Sequence, residues 1–304
     1  MLKTLFVGKN AFWLEETPST NLSAYEMLSM NRLPEGSAVL AKYQTKGKGQ
    51  FGTQWESEHG KNLLVSYVFY PAFLEPKDLF MLNKTIALGV YDYVKQVVKK
   101  NVSLKWPNDI YIGDKKIAGI LIENSITFSD VNYSIAGVGL NVNQSTFNAF
   151  VVPATSFKLI TKRNMELEKC FHTMSGCLQK RYMQLKEKKT EEINSDYKKA
   201  MYRFGKLFFY RRKQTTFRAR IVDVMSDGKL ILRHENGKWD GDGNNHRAGQ
   251  VAKEDQDHGC GQARGRPVGL IDERESIRRA GCTSLRAEGT ADPLPPRQSA
   301  GEIP

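Results

Sequence analysis

The chain has 304 residues, with 45 Lys and Arg against 33 Asp and Glu for a formal charge of +12, and 40% hydrophobic residues; this is globular composition with room for two domains. The longest uncharged stretch, residues 131–157, carries Asn132, Asn141, Asn143, Gln144, Asn148 and Pro153, so it is no bilayer span of about 20 apolar residues, and the N-terminal segment has too short an apolar run for an export signal's core of about 7–15 residues. Cys170, Cys177, Cys260 and Cys282 form no C-x-x-C pair and fall far short of a disulfide framework, which predicts reduced thiols in a cytoplasmic protein.

In chain order, Ser19-Thr20-Asn21 precedes an apolar-periodic stretch to Met30, predicting a helix capped by these side chains. Residues 37–43 and 62–70, rich in Val, Leu, Tyr and Phe and bounded by Gly36, Gly60 and Pro71, predict two strands around a glycine-rich loop. From 76 to 100, Leu79, Leu82, Ile86, Val90, Val94 and Val97 recur at helical spacing with lysines opposite, predicting a long amphipathic helix. Residues 102–106, 109–112, 117–123 and 132–142 predict further strands, with Gly113-Asp114 as a turn. Asn164 is placed to cap a second long helix towards Met183, and residues 202–239 predict short strands broken at Asp227-Gly228 and Asn236-Gly237. The fold class is α+β: a sheet with packed helices and a small all-β appendage.

At residue 240 the composition breaks. Residues 1–239 hold 27 Lys and 9 Arg with 22 acids, a net +14, whereas 240–304 hold 1 Lys and 8 Arg with 11 acids, a net −2. The last segment has ten Gly, five Pro, eight Val, Ile or Leu, and no Phe, Tyr, Trp or Met, too little apolar area to offset chain entropy. It is predicted to be disordered, and a Lys-to-Arg balance that inverts without a folding reason points to a separate origin.

Three motifs carry chemistry. Gly47, Gly49 and Gly52 make a G-x-G-x-x-G, but no helix follows for a dinucleotide fingerprint, the chain has neither H-R-D nor D-F-G for a kinase, and Walker spacing is absent. What survives is a cationic strand-loop-strand with Lys46, Lys48 and Trp55, suited to a phosphate and a stacked base, or equally an ordinary glycine turn. In the second motif, Lys105-Trp106-Pro107-Asn108-Asp109 leads to Lys115-Lys116-Ile117-Ala118-Gly119, leaving polar groups at a strand end and a glycine that admits a close ligand. Each residue also has a plain structural use, as core filler, turn former or solvated charge. Third, Gly137-Val138-Gly139-Leu140-Asn141-Val142-Asn143 is a strand interrupted by glycines, the mark of a bulge or a close backbone contact.

Together and in this order, these segments resemble the catalytic domain of biotin protein ligases over residues 10–160, with Lys-Trp-Pro-Asn-Asp followed by Lys-x-Ala-Gly as the most specific part. The resemblance implies a class II synthetase-like mixed sheet as the catalytic domain at 1–190, and an SH3-like C-terminal domain at 200–239, left incomplete where the chain turns into Gly-Asp-Gly-Asn-Asn after Trp239. It also implies ATP-dependent attachment of biotin to a lysine of a biotin carboxyl carrier domain through biotinyl-5'-AMP, an amide-forming ligation. Lys116 and Lys48 would be catalytic. Ser19, Thr20, Asn21, Gln44, Lys48, Gly49, Gln50, Lys116 and Gly119 would bind biotin; Gly47, Lys48, Gly49, Trp55, Asn108, Lys116 and Asn141 would bind ATP; Asp109 would hold Mg2+. A carboxylate brought against phosphate needs fixed cations, whereas this loop has neutral Gln50 where the family commonly has a second Arg, implying a leakier intermediate.

A lipoate protein ligase shares the fold and the acyl-adenylate chemistry, but Lys-Trp-Pro-Asn-Asp favours biotin. A nucleic-acid-binding protein would exploit the +14 body by counterion release. Against it, lysines alternate with acids over 166–199 in a solvated helix pattern, and nothing ahead of residue 10 reads as helix-turn-helix. The expectation is therefore no specific DNA and no membrane, an acidic carrier steered by the positive body, and a homodimer left open.

Overall fold

Alternation of side chains along the strands sorts this protein into two unlike faces. The computed structural model describes residues 4–148, 152–212, 215–237 and 253–254. Strands β1 (Ala11–Thr17), β2 (Ala38–Gln44), β3 (Leu63–Phe69), β4 (Val102–Lys105), β5 (Asp109–Ile112), β6 (Lys115–Thr127) and β7 (Asp130–Leu140) form one sheet in the order β1-β2-β3-β7-β6-β5-β4. β1 runs parallel to β2 and every other neighbouring pair is antiparallel. The sheet is mixed, as the α+β reading expects.

Leu63, Val65, Tyr67 and Phe69 of β3, with Ala136, Val138 and Leu140 of β7, enter the main core against helices α2 (Leu79–Val98) and α4 (Leu167–Lys186). The opposite face carries Ser66 and Val68 of β3 and Ile135, Gly137 and Gly139 of β7, covered by α1 (Thr20–Met30) and the loop that ends at Trp55. One face is therefore filled by hydrophobic side chains, and the other is left shallow by glycines.

Helix α2 follows a 3-10 turn at Pro76–Asp78 and ends at Lys99, whose φ of 68° breaks the helix. Leu82, Ile86, Val90 and Val94 on its stripe are fully buried. At Gly89 it meets α4 backbone to side chain: a Cβ there would lie 2.9 Å from Leu178 Cα and 2.7 Å from its Cδ2. Lys84 is also buried on α2. Its Nζ donates to Asn194 Oδ1 on α5 (Thr190–Ala200) at 2.8 Å and lies over the rings of Phe80 and Tyr197. Burial pushes its ammonium down to about 8, against the pull of Asp223 and with help from Lys198.

The remaining strands, β8 (Leu207–Arg212), β9 (Thr215–Val224), β10 (Leu230–His234) and β11 (Lys253–Glu254), form an antiparallel sheet in the order β10-β9-β8-β11. No closed barrel is present among the described residues. The sheet joins the main body where Met201 bridges Leu104 and Lys198 pairs with Asp223 at 2.7 Å.

Several local expectations are corrected. β1 escapes the sequence pattern because Phe12 and Trp13 are both exposed, at 38% and 48%, on an edge strand that shows no alternation. Helix α4 starts at Leu167 with Glu166 as its cap, not at Asn164, whose neighbour Met165 donates its N–H to Asn143 Oδ1 instead. The helical stretch to Lys199 is divided at Lys188, which has a φ of 58°, and a short α3 (Phe157–Thr161) lies before it. Lys253 and Glu254, inside the segment expected to be disordered, pair with Arg211 and Tyr210, since an open strand edge offers unpaired backbone groups. The rest of residues 238–304, with Cys260 and Cys282, lies outside the described residues.

Two outcomes follow from the buried face. Gly89→Ala should lower stability by about 1–3 kcal/mol in a denaturant titration, because the overpacking against Leu178 exceeds the roughly 1 kcal/mol that alanine gains in a helix. Lys84 has a folded value below its ordinary 10.5, so the unfolded chain holds the extra proton and wild-type stability climbs as pH rises from about 8 to 10.5. Lys84→Met should thus be relatively most stabilised below pH 8, with that advantage shrinking by up to about 1.4 kcal/mol per pH unit above it; paired denaturation curves across this range would read it.

Candidate active site

The first turn of α1 buries polar residues rather than an apolar stripe: Thr20, Asn21 and Ser23 are inside with Ala24. Helix starts leave N–H groups without partners, and Ser19, although it occupies the cap position and is buried, makes no side-chain cap bond. The expected cap is supplied from the end of β2. Gln44 Oε1 accepts the Thr20 N–H at 2.7 Å and the Thr20 hydroxyl at 3.0 Å. That orientation leaves the Gln44 Nε2 donors turned away from the helix. From β3, Ser66 Oγ lies 2.7 Å from Thr20 Oγ1 and 2.6 Å from Asn21 Oδ1, with one proton for two acceptors. Asn21 Nδ2 donates to Glu123 Oε2 at 2.7 Å and to the Leu121 carbonyl at 3.3 Å. Only glycine permits this approach at 137, where a Cβ would lie 2.3 Å from Asn21 Oδ1.

Beside this network, Gly119 of β6 and Gly139 of β7 face each other across the ladder, giving a floor of bare backbone. Trp55 lies on it: a Cβ at 139 would be 2.4 Å from the indole Cε2, and one at 119 would be 3.1 Å from both Trp55 Cζ3 and Lys116 Nζ. Lys116 Nζ stands 5.6 Å from the indole centroid and 2.8 Å from Asp109 Oδ1, with both charged side chains about three-quarters covered. Its backbone is fixed by Lys116 N to the Pro153 carbonyl at 2.8 Å and by Thr155 N to the Lys116 carbonyl at 2.9 Å. Asn141 Nδ2 donates to the Thr155 carbonyl, while Asn141 Oδ1 and Trp55 Nε1 are buried without a partner. Buried polar atoms are rarely left so, and both of these belong to residues that the sequence motifs singled out.

The glycine loop is folded on itself. Lys48 bridges Gln54, Gly49 N donates to the Thr53 carbonyl at 2.7 Å, and Trp55 N donates to Gly47 at 2.9 Å. Cβ atoms at 47 and 49 would lie 2.4 Å from the Trp55 carbonyl and 2.3 Å from Thr53 Oγ1. Chain geometry alone therefore requires glycine at both positions. Lys48 is exposed at the rim of a cavity of about 90 Å3, lined also by Asn21, Tyr25, Glu123 and Tyr133. Gln50 opens the 3-10 turn Gln50–Gly52. The Trp106–Pro107 bond ahead of Asn108 is cis. Asn108 is buried, its amide N–H given to the Ile120 carbonyl.

Thr20, Asn21 and Gln44 are thus brought into one network, and Lys116, Asp109, Trp55 and Gly119 into another. Ser66 and Glu123 belong to the first, and the sequence reading passed over both. The only signal for Ser66 was a lone hydroxyl in the otherwise apolar, fully buried strand Leu63–Phe69. For metal, no cluster of three or more His, Cys, Asp or Glu occurs among the described residues. A single carboxylate, Asp109, fits only a hard cation that brings phosphate and water ligands with it.

A mixed sheet with a polar helix start, a lysine over glycines and a folded cationic loop makes a site suited to bringing an anionic group against a phosphate. Residues 13–141 match the model of the Biotin/lipoate A/B protein ligase family. The chain is 28% identical over 240 residues to the bifunctional ligase/repressor BirA of Bacillus subtilis (strain 168), covering 78% of this chain and 73% of that protein. It is similar in structure to the biotin protein ligase of Aquifex aeolicus in complex with biotin and ATP, with a TM-score of 0.64 and 26% identity over 76% of this chain and 95% of that one. The Leishmania major biotin protein ligase in complex with biotinyl-5-AMP gives a TM-score of 0.56 and 26% identity, covering 76% and 97%. No helix among the described residues is long and apolar enough to cross a membrane.

Gly139→Ala should expel the indole from its floor. With the other three tryptophans replaced by Phe, Trp55 emission should shift to the red and become more open to acrylamide quenching, while far-UV dichroism stays unchanged.

Proposed function

We propose that this chain couples biotin to AMP at the expense of ATP and then transfers the biotinyl group to a lysine of a biotin carboxyl carrier domain. The observation that carries this reading is Lys116 Nζ, held by Asp109 over the Gly119/Gly139 floor next to the Thr20–Gln44 network. The biotin and ATP bound to the Aquifex aeolicus relative and the biotinyl-5-AMP bound to the Leishmania major one support the same pair of reactants.

In the first step a biotin carboxylate oxygen attacks the α-phosphorus of ATP, forming the P–O bond of the mixed anhydride as the bond to pyrophosphate breaks. Two anionic groups must meet, and a positive charge already in place lowers that cost most where charge concentrates. Lys116 takes this position, with Lys48 supporting the phosphates from the loop. Thr20, Asn21 and Gln44, with Ser19 beside them, read the ureido ring. Gln44 is suited to it because its Oε1 is occupied by Thr20, which leaves Nε2 to donate to a carbonyl. Trp55 offers its face to adenine, and Asn141 Oδ1, which has no partner within the protein, is placed to accept a nucleotide donor. Mg2+ held by Asp109 beside Asn108 would supply charge neutralisation for the departing pyrophosphate. In the second step the carrier's lysine amine attacks the acyl carbon, loses a proton and displaces AMP, leaving an amide. Neutral Gln50 gives this adenylate one positive contact fewer than a Gly-Arg-Gly-Arg loop would.

The division into a ligase domain at 1–190 and a small domain at 200–239, a cytoplasmic location, an acidic carrier and the absence of operator binding belong to the same reading. The test is transfer of radiolabelled biotin to a carrier domain, with pyrophosphate release measured in parallel. Labelling should require ATP, and Lys116→Ala should cut the rate of pyrophosphate release by about 100-fold or more. Labelling without ATP, or at an undiminished rate in Lys116→Ala, overturns the proposal.

A further inference from the structure

The segment that carries Asn108 and Asp109 is held from far outside its own sheet. Between β4 and β5 only residues 106–108 span the turn, and they have three anchors. Trp106 Nε1 donates to the Gly228 carbonyl at 2.8 Å, across 122 positions of the chain. The Tyr197 hydroxyl donates to the Pro107 carbonyl at 3.0 Å from α5. Only the third, Ile120 N to the Asn108 carbonyl at 3.2 Å with the Asn108 amide on the Ile120 carbonyl, is internal to the main sheet.

Gly228 sits in the β9–β10 turn, which Met225 and Lys229 close by a backbone hydrogen bond. Its φ is +90°, and a Cβ there would lie 2.6 Å from Phe80 Cδ2, so the turn is seated against α2 with no slack and presents its carbonyl to the indole. Such a seat transmits displacement rather than absorbing it, because packed interiors do not deform continuously.

From this geometry we infer that Trp106 is a positioning residue: through its bond to Gly228, the turn of the small sheet sets where Asp109 holds Lys116. The small sheet is on this account a working part of the ligase site. The inference rests on the function proposed above for Lys116, but the link itself can be read without turnover. Misplacing a reacting group by a fraction of an ångström costs rate while leaving substrate recognition elsewhere intact, and the biotin-reading network shares none of the three anchors.

Trp106→Phe keeps an aromatic ring in the packing and deletes the N–H. It should lower kcat for pyrophosphate release by roughly tenfold while KM for biotin and the melting temperature stay at wild-type values. Gly228→Ala, which disturbs the same bond from its other end, should lower kcat with KM for biotin unchanged, together with a lower melting temperature imposed by its φ of +90° and the contact with Phe80, and the double variant should be no slower than the slower single variant, since both cut one link. Amide hydrogen exchange should quicken over residues 105–119 in Trp106→Phe and not over α1, and this reads the link even if the wild-type chain releases no pyrophosphate, an outcome that would sink the proposed function alone. Unchanged exchange over 105–119, a kcat equal to that of an active wild type, or a loss of rate that only follows a fall in melting temperature would overturn the inference.

Discussion

A lysine ammonium pinned by one carboxylate above two glycines is the arrangement on which the rest of this structure depends. Lys116 and Asp109 lie on neighbouring strands and meet at 2.8 Å, three-quarters shielded from solvent, where a charge is screened less than at the surface. A side chain at 119 or 139 would occupy the space above the floor. The pair therefore has to be built on glycines, and glycines weaken strands. The opposite face offsets that weakness: β3 and β7 bury their alternate residues against α2 and α4, so the sheet is held from behind while the glycine face is left thin.

The same division explains the polar start of α1. A helix that covered this face with leucines would fill it. Thr20, Asn21 and Ser66 instead satisfy one another and hold Gln44 and Glu123 in fixed orientations. Hydrogen bonds that share partners in this way hold one another in place, and a missing member is costly in a low dielectric. The network can therefore recognise a ligand by directed hydrogen bonds without rearranging. The family match over residues 13–141 fits this economy, since every residue of the two networks lies within that span.

Much of the site was legible as pattern. Lys116, Asp109, Gly119 and Trp55 stand in motifs whose spacing is visible in a single sequence, and the bounds of β2, β3, β5 and α2 were read to within three residues. The glycine loop was open between a ligand cradle and plain chain geometry. The close contacts at Gly47 and Gly49 show that the geometric use is real, and Lys48 lines a cavity. Edges and joins were poorly legible. β1 lacked alternation, the break at Lys188 needed a left-handed residue that is not glycine, and Ser19 looked like a cap although the capping atom comes from Gln44.

What the sequence by itself determined is the set of chemical groups and their local order: a basic loop, a Lys-Trp-Pro-Asn-Asp turn, a lysine before a glycine, and periods that place them at strand ends. What only the tertiary structure decided is which groups touch. Ser66 reaches Asn21 across 45 positions, Glu123 reaches it across 102, and Gly228 holds Trp106 across 122. No local periodicity encodes such pairings, because each depends on strand register and on how closely two backbones can approach.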